Sequence, residues 1–94
     1  MNVTFQSAVQ LHQAGQLPKA EKIYKNLLLS HPNSPDILHM YGLLHLHKKE
    51  ESKGLKLIKK AIKVSPKNPN YYVTLSMYFK ECQEYRQALK FIDE

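Results

Sequence analysis

The sequence predicts an all-α fold, a right-handed α-solenoid of stacked helix–turn–helix hairpins with about 2.75 repeat units. Three observations predict it. The chain aligns with itself without a gap at an offset of 34 residues. Apolar residues inside each unit recur at i, i+3 and i+4, the spacing of one helix face, and no segment alternates with period two. Prolines recur on the same offset, Pro32 with Pro66 and Pro35 with Pro69.

The offset also aligns residue sizes. Small residues recur at Ala8, Gly42 and Ser76, and again at Ala20, Gly54 and Ala88. Large apolar residues recur at Tyr24, Ile58 and Ile92, at Leu28 and Ile62, and at Ile23, Leu57 and Phe91. Two short helices cannot bury their apolar faces alone. The small rows let paired helices approach closely, and the bulky rows fill the space between one hairpin and the next.

The elements follow in order. A first helix is expected over 3–14, ended by Gly15, where a left-handed residue closes a helix cheaply. Leu17-Pro18 opens a second over 18–30, and Pro32 stops it. Ser34-Pro35-Asp36 reads as an N-cap and first turn for a helix over 36–47. A fourth helix runs over 52–64 to Pro66, and Asn68-Pro69-Asn70 starts a fifth over 70–82. A sixth is expected over 86–94. The units are thus 1–34, 35–68 and 69–94, the last cut short, forming one domain.

The composition is that of a globular chain, with 43% hydrophobic and 23% charged residues. No apolar run approaches the ~20 residues of a membrane-spanning helix, and the first residues do not read as a signal peptide. Cys82 is the lone cysteine, which fits a reducing compartment, so a cytoplasmic location is expected. The net charge of +6 is local: eight lysines and two glutamates lie between Lys48 and Lys67, and the rest is neutral overall.

Ala8, Leu11, Gly15, Ala20, Tyr24, Leu27 and Pro32 in the first unit resemble the signature spacing of the tetratricopeptide repeat family. Leu38, Gly42, Ala61 and Pro66 carry the likeness in the second unit, and Tyr72, Leu75, Phe79, Tyr85 and Ala88 in the third. His45 stands where a tyrosine is usual, Gly54 where alanine is usual, and Thr4 in place of an aromatic. Gly54 is expected to cost about 1 kcal/mol of helix stability, so that Gly54→Ala is neutral or stabilising while Gly54→Leu overpacks. The stretch from Leu11 to Gly42 is also similar to repeats preceding catalytic domains in some bacterial glycosyl-, sulfo- and methyltransferases.

The resemblance implies a function of holding another protein, with the first helix of each unit lining a concave groove. It assigns two strips to that groove, Phe5–His39–Val73 and Val9–Leu43–Met77, with His12 and His47 at its edge. A floor of Phe, Val, Leu and Met suits an apolar or amphipathic segment of a partner protein. Relatives that clamp the acidic tail of chaperones use basic and amide residues, and the matching positions here are Phe5, Val9, Met40, Asn70 and Thr74, none of them positive. The asparagine ladder of the O-GlcNAc-transferase-like superhelix is replaced by Gln6, Met40 and Thr74. The alternative reading is an accessory region of a larger bacterial transferase, serving substrate capture or dimerisation.

Lys53, Lys56, Lys60 and Lys63 form one helix face, expected on the convex side. It reads as a solvated stripe or a contact for an acidic surface. The absence of interleaved aromatics and of arginine beyond Arg86 argues against nucleic acid. His39, His45 and His47 share a helix, but no pair has i, i+4 spacing, so no metal or other cofactor is expected. His45 is expected as a half-buried core residue, and His12 and His47 as groups titrating near neutral pH. No nucleophile motif, glycine-rich loop or carboxylate pair points to an enzyme. Self-association through an uncapped C-terminal end, around Ala88 to Ile92, is also expected.

Overall fold

The computed structural model describes the backbone of residues 4–93 and the side chains of residues 4–83. Among the described residues it contains five α-helices and no strand: α1 (Phe5–Gln13), α2 (Leu17–Ser30), α3 (Pro35–His47), α4 (Glu51–Val64) and α5 (Pro69–Asp93). The first four agree closely with the helices expected from periodicity.

Local chemistry explains their ends. Thr4, which the register marks only as a missing aromatic, is the N-cap of α1, and its hydroxyl accepts from the Ser7 amide at 3.2 Å. Ser34 occupies the N-cap of α3 with Pro35 behind it, but its side chain makes no capping bond. Asn68 accepts from the Asn70 amide at 2.9 Å at the start of α5.

The two interhelix turns within hairpins are the same motif. After α1 the Gly15 amide donates to the His12 carbonyl and Gln16 to Leu11, with Gly15 at φ 82°. After α3 the Lys49 amide donates to Leu46 and Glu50 to His45, with Lys49 at φ 66°. Each pair closes two orphan carbonyls of the helix end through one left-handed residue. Gly15 and Lys49 are 34 residues apart.

The third such turn does not form. The expected helices over 70–82 and 86–94 are replaced by one helix that continues through Gln83, the residue in register with Gly15 and Lys49, as far as Asp93. A left-handed conformation costs an L-residue about 1–2 kcal/mol. At Lys49 the packing of α4 along α3 offsets that cost, and at Gln83 straight helix wins. Residue 94 lies outside the described residues, as do the side chains of Ala88 to Ile92, on which the expected end-face association rests.

Two apolar clusters hold the helices together. In the first, Ala8, Ala20, Tyr24, Ile37, Tyr41 and Leu44 join α1, α2 and α3, with Ala8, Ala20, Tyr24 and Leu44 wholly buried. In the second, Leu38, Leu46, Ile58, Ala61 and Tyr71 join α3, α4 and α5. Burial of these side chains is the main stabilising term, worth about 1.5–3 kcal/mol for each large one.

Gly54 is not the weak point that helix propensity suggests. A Cβ on Gly54 would sit 2.8 Å from the Gly42 carbonyl oxygen and 2.8 Å from Leu46 Cγ, and one on Gly42 would sit 2.7 Å from Ile58 Cγ1. The expectation that Gly54→Ala is neutral is therefore corrected: α3 and α4 meet backbone to backbone, and neither position has room for a methyl group. Among the described residues no helix is long and apolar enough to cross a membrane.

Candidate functional site

The first helices of the three units, α1, α3 and α5, carry the residues assigned to the groove. Their burial divides them. Phe5 and Val9 on α1, and His39 and Leu43 on α3, are half-buried. Val73 and Met77 on α5 are 53% and 59% exposed, and His47 is exposed at the end of α3.

Between α3 and α5 lies a cleft of about 210 Å³ lined by Leu43, Leu46, His47, Thr74, Met77, Tyr78 and Glu81. It brings together three of the expected residues, Leu43, His47 and Met77. Its apolar floor is set by Leu43 and Leu46, and its rim is polar through His47, Thr74 and Glu81. The size is below the ~300–1,000 Å³ of common small-molecule pockets and suits an anchoring side chain.

His39 is fastened within this surface. Its Nε2 hydrogen-bonds with Thr74 Oγ1 at 2.7 Å, its ring centroid lies 4.9 Å from that of Tyr71, and burial lowers its pKa. The bond ties α3 to α5 alongside that of Tyr71, whose hydroxyl donates to Asp36 at 3.5 Å.

His12 does not belong to the groove edge. It is 5% exposed, so it presents no face to a partner, and this corrects its assignment as a binding residue. Its Nδ1 hydrogen-bonds with the Tyr24 hydroxyl at 3.2 Å and its Nε2 with His47 Nδ1 at 2.8 Å. Burial first, and the facing His47 second, pull its pKa down to about 4, so it is neutral at physiological pH and does not titrate near neutrality. The Tyr24–His12–His47 chain is instead a polar strut joining α2, α1 and α3, buried at Tyr24 and His12 and open to solvent at His47.

A second polar cluster gathers at the turn between α3 and α4. His45, 5% exposed, donates from Nδ1 to Glu50 Oε1 at 3.0 Å, and its ring lies 4.6 Å from that of Tyr41, tilted by 41°. Lys48 reaches Glu21 at 3.1 Å and Glu50 at 3.2 Å, and Tyr41 donates to Glu21 at 3.3 Å. The hydrogen bond from His45, then that from Lys48, holds Glu50 down to about 2. The tyrosine substitute at His45, expected to be half-buried, is thus buried, with a carboxylate partner. Only the 27-residue separation of Glu21 and Lys48 in sequence hid the network.

Lys53, Lys56, Lys60 and Lys63 are all exposed, and with Lys59, Leu57 and His45 they line an open recess of about 600 Å³ along α4. Lys53 also reaches Glu50 at 3.5 Å, so part of its charge is neutralised within the chain. Among the described residues no three His, Cys, Asp or Glu side chains gather as metal ligands.

The chain is similar to a TPR repeat-containing protein of Dictyostelium discoideum, with 35% identity over 74 residues. The match covers 78% of this chain and 28% of that protein, so the chain spans less than a third of its relative. No protein-family model and no solved structure matches it.

Proposed function

Because the chain belongs to the tetratricopeptide repeat family, we propose that it is a protein-interaction module that takes an apolar or amphipathic segment of a partner along α1, α3 and α5. The observation that supports this reading is the cleft between α3 and α5. It offers an apolar anchor point at Leu43, Leu46 and Met77, bounded by groups that can hydrogen-bond a peptide. Exposed Val73 and Met77 extend the apolar strip along α5. An amphipathic helix presents anchors at i, i+3, i+4 and i+7, which such a strip can accept. The partner-binding residues are then Phe5, Val9, His39, Leu43, His47, Val73 and Met77, without His12.

Selection of a displayed peptide library on the immobilised chain tests it. Enriched peptides should carry apolar residues at helical spacing, and Met77→Glu should weaken them about tenfold or more, as expected for an anchoring position. Enriched peptides that bind Met77→Glu as tightly as the wild type would overturn the reading.

A further inference from the structure

The 34-residue register aligns charge as well as size. Lys19, Lys22 and Lys25 on α2 match Lys53, Lys56 and Lys59 on α4. Lys60 and Lys63 extend the row on α4, and Leu29 stands on α2 at the position of Lys63. All eight lysines are exposed. The opposite faces are buried, at Ala20 and Tyr24 on α2 and at Gly54, Ile58 and Ala61 on α4. Each helix is thus held to the core by one side and offers lysines on the other.

The two lysine faces border one another, because α2 and α4 both pack against α3. Ile23 of α2 and Leu57 of α4 rest on one apolar cluster. His45 of α3 lies 4.0 Å from Glu21 of α2, and it also lines the recess among the α4 lysines, in which Leu57 is the one apolar side chain. Among the described residues only Lys53 of the eight is ion-paired, with Glu50 at 3.5 Å.

We propose that this side of the molecule attaches to an anionic lipid bilayer. Lysine is a compact, hydrated point charge without the planar fork by which arginine grips a single phosphate or carboxylate, so rows of lysine on two helices answer a diffuse negative surface. Leu29 is 83% exposed, and Lys22 and Lys25 precede it by seven and four residues on the same face. At a bilayer that leucine enters the headgroup boundary, while the long lysine stems keep their ammonium groups among the phosphates. A partner helix laid in the α4 recess would leave Leu29 and the α2 lysines uncovered, whereas a bilayer meets both helices. Among the described residues no helix can cross a membrane, so the attachment is peripheral. The recess and the cleft between α3 and α5 share no lining residue, so the two roles do not compete for the same side chains.

Co-sedimentation of the full 94-residue chain with vesicles tests this. At about 0.1 M salt the chain should bind phosphatidylcholine vesicles containing about 30% phosphatidylserine, ignore pure phosphatidylcholine, and come off at about 0.5 M salt. Combining Lys56→Gln, Lys60→Gln and Lys63→Gln should weaken binding about fivefold for each lysine exchanged. The chain has no tryptophan, so Leu29→Trp supplies a single reporter. Its emission should shift to the blue on the anionic vesicles, and that of Met77→Trp in the α3–α5 cleft should not. A chain that leaves anionic vesicles unbound, or binds neutral ones equally well, overturns the proposal. So does a triple glutamine variant that binds as tightly as the wild type, or an unshifted Leu29→Trp on vesicles that carry the chain. Binding to polyglutamate or single-stranded RNA in preference to the vesicles equally overturns it, and gives the face to an acidic macromolecule.

Discussion

Gly54 rests against the carbonyl oxygen of Gly42, so close that a methyl group on Gly54 would lie 2.8 Å from it. The contact joins α3 to α4 at the centre of the second hairpin and lets Ile58, wholly buried, pack beside it. Two effects compete when alanine replaces Gly54. Helix propensity favours alanine by about 1 kcal/mol, while forcing two backbones apart costs about 1–3 kcal/mol. The obstacle is a carbonyl in a helix ladder, which cannot swing aside, so the cost prevails. Gly54→Ala is expected to destabilise the chain by about 1 kcal/mol in urea denaturation, and Gly54→Leu by more; an alanine variant more stable than the wild type would contradict the packing.

Lys49 offers the opposite case. Its φ of 66° strains a residue that has a Cβ, and its side chain is exposed. Lys49→Gly should remove the strain and give back part of the gain through a more flexible unfolded chain, for a net stabilisation of about 0.5–1 kcal/mol. Gly15→Ala, at φ 82°, should cost about 1 kcal/mol. Thermal melts of the two variants should move in opposite directions.

His12 sets a pH window. Its pKa lies at about 4 when folded and near 6.5 when unfolded, so the unfolded chain takes up its proton first. The stability this represents is complete above pH 6.5 and is lost as pH falls towards 4. The groups facing it are His47 on α3 and Tyr24 on α2. His12→Gln keeps a hydrogen-bonding side chain without the titration. Its melting temperature should change less between pH 7 and pH 4 than that of the wild type. Glu50, held at about 2 by His45 and Lys48, acts in a lower window, its stabilisation present above pH 4.5 and lost as pH falls through 2.

Met77→Glu and Leu43→Glu should differ in stability although both lie in the cleft. Met77 is 59% exposed, so its substitution should change stability by no more than about 0.5 kcal/mol. Leu43 is half-buried against the second cluster, and placing a carboxylate there should cost about 1–3 kcal/mol. Circular dichroism melts of the two single variants check this, and the exposed position is the informative one for binding.

The cleft between α3 and α5 was only partly legible in the residues. The resemblance to the repeat family assigns the first helix of each unit to a partner surface, and three of the residues so assigned, Leu43, His47 and Met77, line one cleft. Periodicity carries no depth, and so it does not show that His12 is buried. Its partners Tyr24 and His47 come from two other helices, 12 and 35 residues away, and no spacing rule links them. The Glu21–Lys48–Glu50–His45 network likewise joins residues that no spacing rule links.

The sequence by itself determined the all-helical class, four helices to within a residue or two at most ends, and the 34-residue register, because proline, glycine and apolar spacing act over a few neighbouring residues. Only the tertiary structure decided what depends on distance between helices. Gly54 reads as a helix defect until α3 lies against it. Gln83 shares its register with Gly15 and Lys49, yet α5 runs straight through it. A left-handed turn without glycine survives where a packed partner offsets its cost, and that partner is a fact of three dimensions.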